Sequence, residues 1–289
     1  MPELPEVEVV KRSLAKKVEN SIIKKVIIND ARLRYYVKKK EIRKIIGLRL
    51  KKIDRRSKYL LFFFNKNVVM LVHLGMTGKF FFVNQKNTKF KTSFYYNIDE
   101  KKDHKHDRVV FILNNNKKLI YNDVRKFGFI KFIFNGKPNE SPHLNKLGPE
   151  PLQKKFNYNY FKEYIKGKNR VVKDILMDQK FVSGIGNIYA NEILFLSRIK
   201  PTRKIEYLKD GEINKILLTT KQILKSSIKL GGSSIKDFST SNGKKGSFQQ
   251  HFNVYGKKGE VCSKINCKNK IIRLYLSKRA TFYCSKCQK

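Results

Sequence analysis

Apolar residues at 7, 10, 14 and 18 recur every three or four positions, so residues 5–18 predict one amphipathic helix. The preceding proline and glutamates suit its first turn. After Ser21 the rhythm changes. Short runs rich in Val, Ile, Phe and Tyr follow to about Phe134, among them 68–72, 109–113 and 129–134, and they predict strands. The most apolar stretch, 59–74, is broken by Asn65-Lys66-Asn67 and reads as two buried strands joined by a turn. Neither piece is long enough to cross a bilayer. Asn114-Asn115-Asn116-Lys117 reads as another hairpin turn. The first half is therefore expected to be a helix on an antiparallel β-sandwich or flattened barrel, over 1–135.

Gly136, Pro138, Pro142, Gly148, Pro149 and Pro151 mark 136–152 as a linker. Helical periodicity takes over at 171–181, 188–199 and 212–230, which predicts a helical domain over 153–250. Within it, 231–247 has no periodicity and many Gly, Ser and Asn residues, and reads as a mobile loop. The last segment, 251–289, holds all four cysteines. The expected class is α+β multidomain.

A chain of 289 residues suits two lobes of ordinary size. Its 65 Lys and Arg against 23 Asp and Glu give a formal charge of +42, and the natural partner of such a surface is a polyanion, nucleic acid first. The chain is also rich in Lys, Asn, Ile, Phe and Tyr, a bias typical of AT-rich genomes, so each arginine is more informative than each lysine. The first eight residues contain three glutamates and no apolar stretch follows, which predicts an intracellular protein without a signal peptide. Cysteines confined to the tail exclude a disulfide-stapled secreted fold.

Three motifs carry chemistry. Cys262-x4-Cys267-x16-Cys284-x2-Cys287 places two close thiolate pairs one hairpin apart, the pattern of a structural zinc ion with four cysteine ligands. Four thiolates leave no coordination position for water, so a catalytic ion is not expected. Arg279, near the turn of the hairpin over 271–284, is placed to meet a phosphate. Val182-Ser183-Gly184-Ile185-Gly186-Asn187 precedes a helix whose positive dipole end suits a phosphate, although most glycine turns between helices bind nothing. Finally, removal of Met1 would expose the secondary amine of Pro2, of ordinary pKa ~7.7–8.0 and so roughly one-tenth neutral at pH 7. Such an amine attacking a sugar carbon yields an iminium ion that acidifies the neighbouring proton. Glu3 and Glu6 stand close enough to handle protons. Taken alone, the same residues are also simply a good helix start.

The segments MPELPEVE, RRSKYL, HLGMTG, DVRKFG, LGPEPL, DQKFVSGIGNIYANEILF and RATFYCSKCQK span the chain and together resemble the formamidopyrimidine-DNA glycosylase family, bacterial enzymes of oxidised-purine repair. The resemblance implies that Pro2 is the nucleophile, Glu3 the carboxylate assisting base release and proton transfer, and Glu6 another acid of the active-site helix. It implies that Lys58 touches the phosphate beside the lesion, and that Met76, Arg125 and Phe127 enter the duplex where a nucleotide has flipped out. His73, Asn187, Tyr189 and Arg279 fall at DNA-backbone or supporting positions, Lys173 at a lysine linked to damaged-purine processing, and Glu192 near the lesion pocket. The loop 231–247 matches one that closes over the extruded base.

The implied architecture is an N-terminal helix and β-sandwich, a helix-two-turn-helix domain and a zinc ribbon, with duplex DNA between the lobes. The implied activity is excision of 8-oxoguanine and formamidopyrimidines, followed by β,δ-elimination at the abasic sugar, by a monomer with no membrane attachment. Two departures stand out: the first cysteine pair has four intervening residues where the family usually has two, and 85–105 resembles nothing closely. The related endonuclease VIII, which acts on oxidised pyrimidines, usually carries Gly where Leu4 stands. A noncatalytic DNA-binding protein using the same turn and ribbon is the rival of another class.

Overall fold

The computed structural model describes residues 1–83, 104–233 and 248–289, with the backbone of 89–91. The chain divides into two compact units, 1–145 with 231–247, and 146–230 with 248–289.

In the first unit, helix α1 (Leu4–Val18) buries Val7, Val10, Leu14 and Val18, the stripe its spacing predicts. A short helix α2 (Lys39–Arg43) follows strand β1 (Ile23–Ile28). The remaining strands are β2 (Leu50–Arg56), β3 (Tyr59–Phe64), β4 (Val69–His73), β5 (Lys79–Val83), β6 (Lys89–Lys91), β7 (Asp107–Leu113), β8 (Lys118–Asn122) and β9 (Phe129–Ile133). They form two antiparallel sheets, ordered β1-β7-β8-β5-β6 and β2-β3-β4-β9. Facing side chains of both sheets, such as Phe62, Val72, Phe80, Phe111 and Tyr121, make one core with α1. The expected turns are present: Lys66 and Asn67 take positive φ between β3 and β4, and a single 3-10 turn joins β7 to β8.

One buried ion pair ties α1 to the second sheet. Glu8 accepts from Arg55 Nε at 3.0 Å and from Arg12 Nε at 2.8 Å. Burial works against the Glu8 carboxylate, but the two guanidinium groups outweigh it and hold its pKa below the usual range. Arg55 also donates to the carbonyl of Ser57 at 2.9 Å, so the same contact braces the β2–β3 turn that carries Lys58.

The second unit contains α3 (Tyr158–Ile165), α4 (Val172–Met177), α5 (Asn187–Ser197), α6 (Asp210–Lys229) and the hairpin β10 (Ile272–Leu276) and β11 (Arg279–Tyr283). The helix expected over 171–181 stops at Met177, because Asp178 turns extended and its carboxylate accepts the N–H of Lys180. From there to Gly186 the chain makes the two turns of a helix-two-turn-helix element. Gln179 knits them, donating to the carbonyls of Met177 and Ile185 and accepting from the N–H of Gly184. Residues 148–151, expected in the linker, pack against this turn: Gly148 N–H meets Gln179 O and Ser183 N–H meets Pro149 O.

The loop expected at 231–247 and the variable segment at 85–105 lie mostly outside the described residues. No helix among the described residues is long and apolar enough to cross a membrane.

Candidate active site and nucleic-acid interface

At the front of α1, Glu3 is the N-cap, and the capping box is reciprocal: its carboxylate accepts the N–H of Glu6, and Glu6 Oε2 accepts the N–H of Glu3 at 2.9 Å. Glu6 Oε1 accepts both the N–H and the hydroxyl of Ser233 at 2.9 Å. Glu6 is therefore buried with its carboxylate spoken for, and it fixes the direction in which Pro2 and Glu3 leave the helix. In this structure the terminal amine is that of Met1, one residue ahead of Pro2. Burial lowers its pKa below the ordinary 8.0, Glu3 and Glu6 oppose that, and Lys58 and Arg125 add to it. Pro2, Glu3, Glu6 and Lys58 are all buried, while Met1 is 42% exposed, so the terminal amine lies at the edge of a buried cluster of mixed charge.

Lys58 occupies the β2–β3 turn next to Ser57, whose φ of 56° is left-handed. On the neighbouring β4, His73 stacks on Phe129 with ring centroids 5.6 Å apart. Burial, then the charges of Lys58 and Arg34, drives the His73 pKa down to about 4. The ring is thus neutral at pH 7. Its Nδ1 accepts the N–H of Gly75 at 3.1 Å, which leaves Nε2 to carry the proton.

Met76, Arg125 and Phe127 converge, although the first is 49 residues from the second. Arg125 Nη1 lies 3.3 Å from Met76 Sδ, and its guanidinium covers the Phe127 ring at 4.5 Å. Met76 and Phe127 are 42% and 45% exposed, which sets them apart from the core packing their residue types would suggest. The two turns touch so closely that a Cβ at Gly75 would overlap the Phe127 backbone.

In the second unit, Asn187 opens α5 and donates to the carbonyl of Ala280 at 2.9 Å, beside the exposed Arg279. The β10–β11 turn is a tight one, with Ser277 and Lys278 both at positive φ. Lys173, Tyr189 and Glu192 have their polar atoms inside this unit. Lys173 is fully buried and donates to Thr281 Oγ1 at 2.6 Å and to the carbonyl of Ala280 at 3.3 Å. Tyr189 shares a hydrogen bond with Ser227 at 2.5 Å. Glu192 accepts the N–H groups of Asn253, Val254 and Tyr255 and the Asn253 amide, at 2.8–3.0 Å. These three hold the hairpin, α6 and the 253–255 turn in place rather than presenting donors to solvent.

The four cysteine sulfurs gather within 4.8 Å of one another. Cys262 and Cys287 are 3.8 Å apart, and Cys267 and Cys284 are 3.7 Å apart. Sulfurs held ~2.3 Å from one tetrahedral zinc ion stand about 3.8 Å from each other, so the set fits the ion despite the lengthened first pair. Without an ion, burial raises the Cys262 thiol and takes Cys287 up to about 12. The module is welded to α5: Gln288 bridges the N–H of Cys284 and the carbonyl of Ile199, and Phe282 N–H meets Asn191 Oδ1.

A model of the formamidopyrimidine-DNA glycosylase N-terminal domain matches residues 1–130, and one of the H2TH domain of the same enzymes matches 147–239. The chain belongs to the formamidopyrimidine-DNA glycosylase family. A relative from Rickettsia bellii, described as formamidopyrimidine-DNA glycosylase, is 40% identical over 289 residues, covering all of both chains. Among solved structures, a Lactococcus lactis enzyme of the family in complex with DNA containing Fapy-dG superposes with a TM-score of 0.85 at 31% identity, covering all of both chains. The same organism's enzyme with DNA containing an abasic site gives 0.84 at 31% identity over 99% of each chain.

For a formamidopyrimidine-DNA glycosylase, the structure adds residues that spacing alone does not flag. Asp123 is wholly buried. Its Oδ1 accepts from Thr77 Oγ1 at 2.5 Å and its Oδ2 from the N–H of Gly128 at 2.9 Å, while Thr77 Oγ1 accepts the N–H of Arg125 at 3.0 Å. Asp123 and Thr77 thus join the Met76 turn to the loop of Arg125 and Phe127. Asp30 adds an outer brace, taking Arg108 at 3.3 Å and Lys126 at 2.7 Å. Thr77→Val keeps the shape and strands a buried carboxylate oxygen, so it should cost about 1–3 kcal/mol in urea unfolding. Affinity for a lesion duplex should fall with it, while adduct yield at saturating DNA stays level.

Proposed function

We propose that the protein is a bifunctional DNA glycosylase and abasic-site lyase acting on duplexes that carry 8-oxoguanine or formamidopyrimidines. The observation that carries the reading is the chain terminus, where buried Pro2 follows a Met1 amine whose pKa is lowered by burial and which lies in the field of Glu3, Glu6, Lys58 and Arg125. Once Met1 is removed, the Pro2 nitrogen donates its lone pair to C1′ of the flipped nucleotide, and the C1′–N bond to the base breaks as the base takes up a proton. The nitrogen then gives up its own proton, and its lone pair expels the sugar ring oxygen from C1′; that oxygen is protonated, giving an open-chain iminium ion on Pro2. Loss of a C2′ proton then expels the 3′ phosphate, and a second elimination expels the 5′ phosphate. Glu3, next to the nucleophile, is the group to move these protons. Lys58 neutralises the phosphate beside the lesion.

The cluster of Met76, Arg125 and Phe127 fits the gap left by an everted base, since a planar or apolar filler offsets part of the few kcal/mol lost in unstacking. Asn187 and Arg279 are adjacent through Ala280 and suit one stretch of phosphate backbone. Zinc, held by Cys262, Cys267, Cys284 and Cys287, supplies structure to this grip and no step of the chemistry. We further take the working location to be the bacterial cytoplasm, at the nucleoid, and the working form to be a monomer.

The test is single-turnover excision on duplexes with 8-oxoguanine or thymine glycol, with borohydride present in a parallel reaction. A reduced covalent adduct and a preference for the oxidised purine are expected. Preference for thymine glycol would favour the endonuclease VIII reading, and binding without adduct the noncatalytic one. Lys58→Ala should slow excision about a hundredfold. Lys16→Ala, on the exposed side of α1, should leave it within about twofold.

A further inference from the structure

Within the second unit, the lengthened spacer between Cys262 and Cys267 forms one wall of a cleft of about 1150 Å³. Ser197 and Arg198 at the end of α5 and the first turns of α6 form the others. The cleft lies at the far end of α5 from Asn187, about 15 Å along an 11-residue helix, so it is not the phosphate site of the two-turn element.

Its charge is predominantly positive. Arg198, Lys209, Lys215, Lys264, Lys286 and Lys289 line it against the single acidic side chain of Glu212, and none of the first five has a side-chain carboxylate within ion-pair distance among the described residues. The nearby acids are committed elsewhere. Asp210 pairs with Lys162 at 2.8 Å, and Glu212 takes Arg203 at 2.6 and 3.0 Å together with the N–H of Lys209. On the rim stands Ile265, 91% exposed, contributed by the spacer itself.

We infer that this cleft binds an acidic protein segment that presents an apolar side chain to Ile265. Two features favour a peptide over a single nucleic-acid strand. A groove for a single strand uses aromatic faces for base stacking, and no aromatic ring lines the cleft. An exposed aliphatic knob gains nothing from phosphates but matches the apolar contact at the centre of a protein interface with a charged rim. The proposal does not depend on the repair chemistry.

The probe is a fluorescein-labelled peptide, Glu-Asp-Leu-Glu-Asp-Leu-Glu-Asp, titrated with zinc-loaded full-length protein at near-physiological salt. An undamaged duplex is titrated in parallel. Saturable binding is expected, weakened roughly tenfold by Lys209→Glu with Lys215→Glu and about fivefold by Ile265→Ser, with duplex affinity changed less than about twofold. A peptide with Ser for Leu should bind like the Ile265→Ser case. Lys39→Glu with Lys40→Glu, the same charge change on α2, should leave the peptide unaffected. Zinc content and melting temperature confirm that each variant is folded. Peptide binding indifferent to Ile265→Ser, or equally sensitive to the α2 variant, would overturn the inference, as would a loss of duplex affinity matching the peptide loss.

Discussion

Pro2→Gly protein should excise 8-oxoguanine on the order of 10³-fold more slowly than the parent and give almost no borohydride adduct. Glycine permits loss of Met1 as proline does, so the substitution leaves an amine at the same point of the chain. What it removes is the secondary character of that amine. A proline nitrogen doubly bonded to C1′ must be a cationic iminium, a permanent electron sink, whereas a glycine nitrogen gives a neutral imine that has to be protonated beside Lys58 and Arg125. Burial, with those same charges, lowers the pKa of the Met1 amine one residue ahead, and the same surroundings are expected to act on the Pro2 amine once Met1 is gone; the free base is the form that attacks. Lowering the pKa therefore enlarges the active fraction at pH 7, and the acid limb of the rate profile should lie below the ordinary value of 8.0. The neighbours predict its movement. Glu3→Gln removes a charge that raises the pKa, so the limb should shift to lower pH even as the rate falls. Lys58→Met removes a charge that lowers it, so the limb should shift upward. Opposite movements would show that another group sets the profile. Intact mass of the active protein should lack Met1, and full activity with Met1 retained would exclude Pro2 as the nucleophile.

What could be read from the chain depended on the range of the forces involved. The stripe of Val7, Val10, Leu14 and Val18, the strand pair around Asn65-Lys66-Asn67 and the hairpin before Arg279 were legible because short-range periodicity and turn chemistry decide them. Asp123 was not legible. Its partners Thr77 and Gly128 are brought to it by sheet pairing, and an aspartate in a polar stretch looks like any solvated charge until β5 and β8 align. Lys173 and Glu192 carry a further fact that no local pattern encodes: both are buried and hydrogen-bonded to neighbours inside the fold, because a charged group there has to spend its hydrogen bonds on its surroundings. Arg279 and Asn187 were each picked out separately by their turns. That one carbonyl, Ala280, brings them together follows from the packing of the hairpin on α5, which no local pattern encodes.

The same packing sets the second large effect. Stripping the metal with a chelator, or Cys284→Ser, should weaken binding to an abasic-site duplex by about two orders of magnitude or more, while the adduct yield at saturating DNA stays near that of the intact protein. Cys284 is completely buried and its N–H is capped by Gln288. With the ion gone, burial favours the neutral thiol at Cys287 and Cys262, and the cluster exchanges a strong coordination shell for weak sulfur contacts. Zinc sites of this kind contribute roughly 10–16 kcal/mol of apparent binding energy at neutral pH, more than a module of about 40 residues can replace by burial. The loss then spreads along named contacts. Phe282 releases Asn191, Thr281 releases Lys173, and Ala280 releases Asn187, so Arg279 and Asn187 no longer form the one surface proposed to meet the phosphates. None of these residues belongs to the compact unit of Pro2, Glu3 and Lys58, which is why affinity should fail before chemistry. A matching drop in trapping at saturating DNA would mean that the ribbon does more than hold the duplex, and unchanged affinity in the apo protein would remove it from the DNA interface.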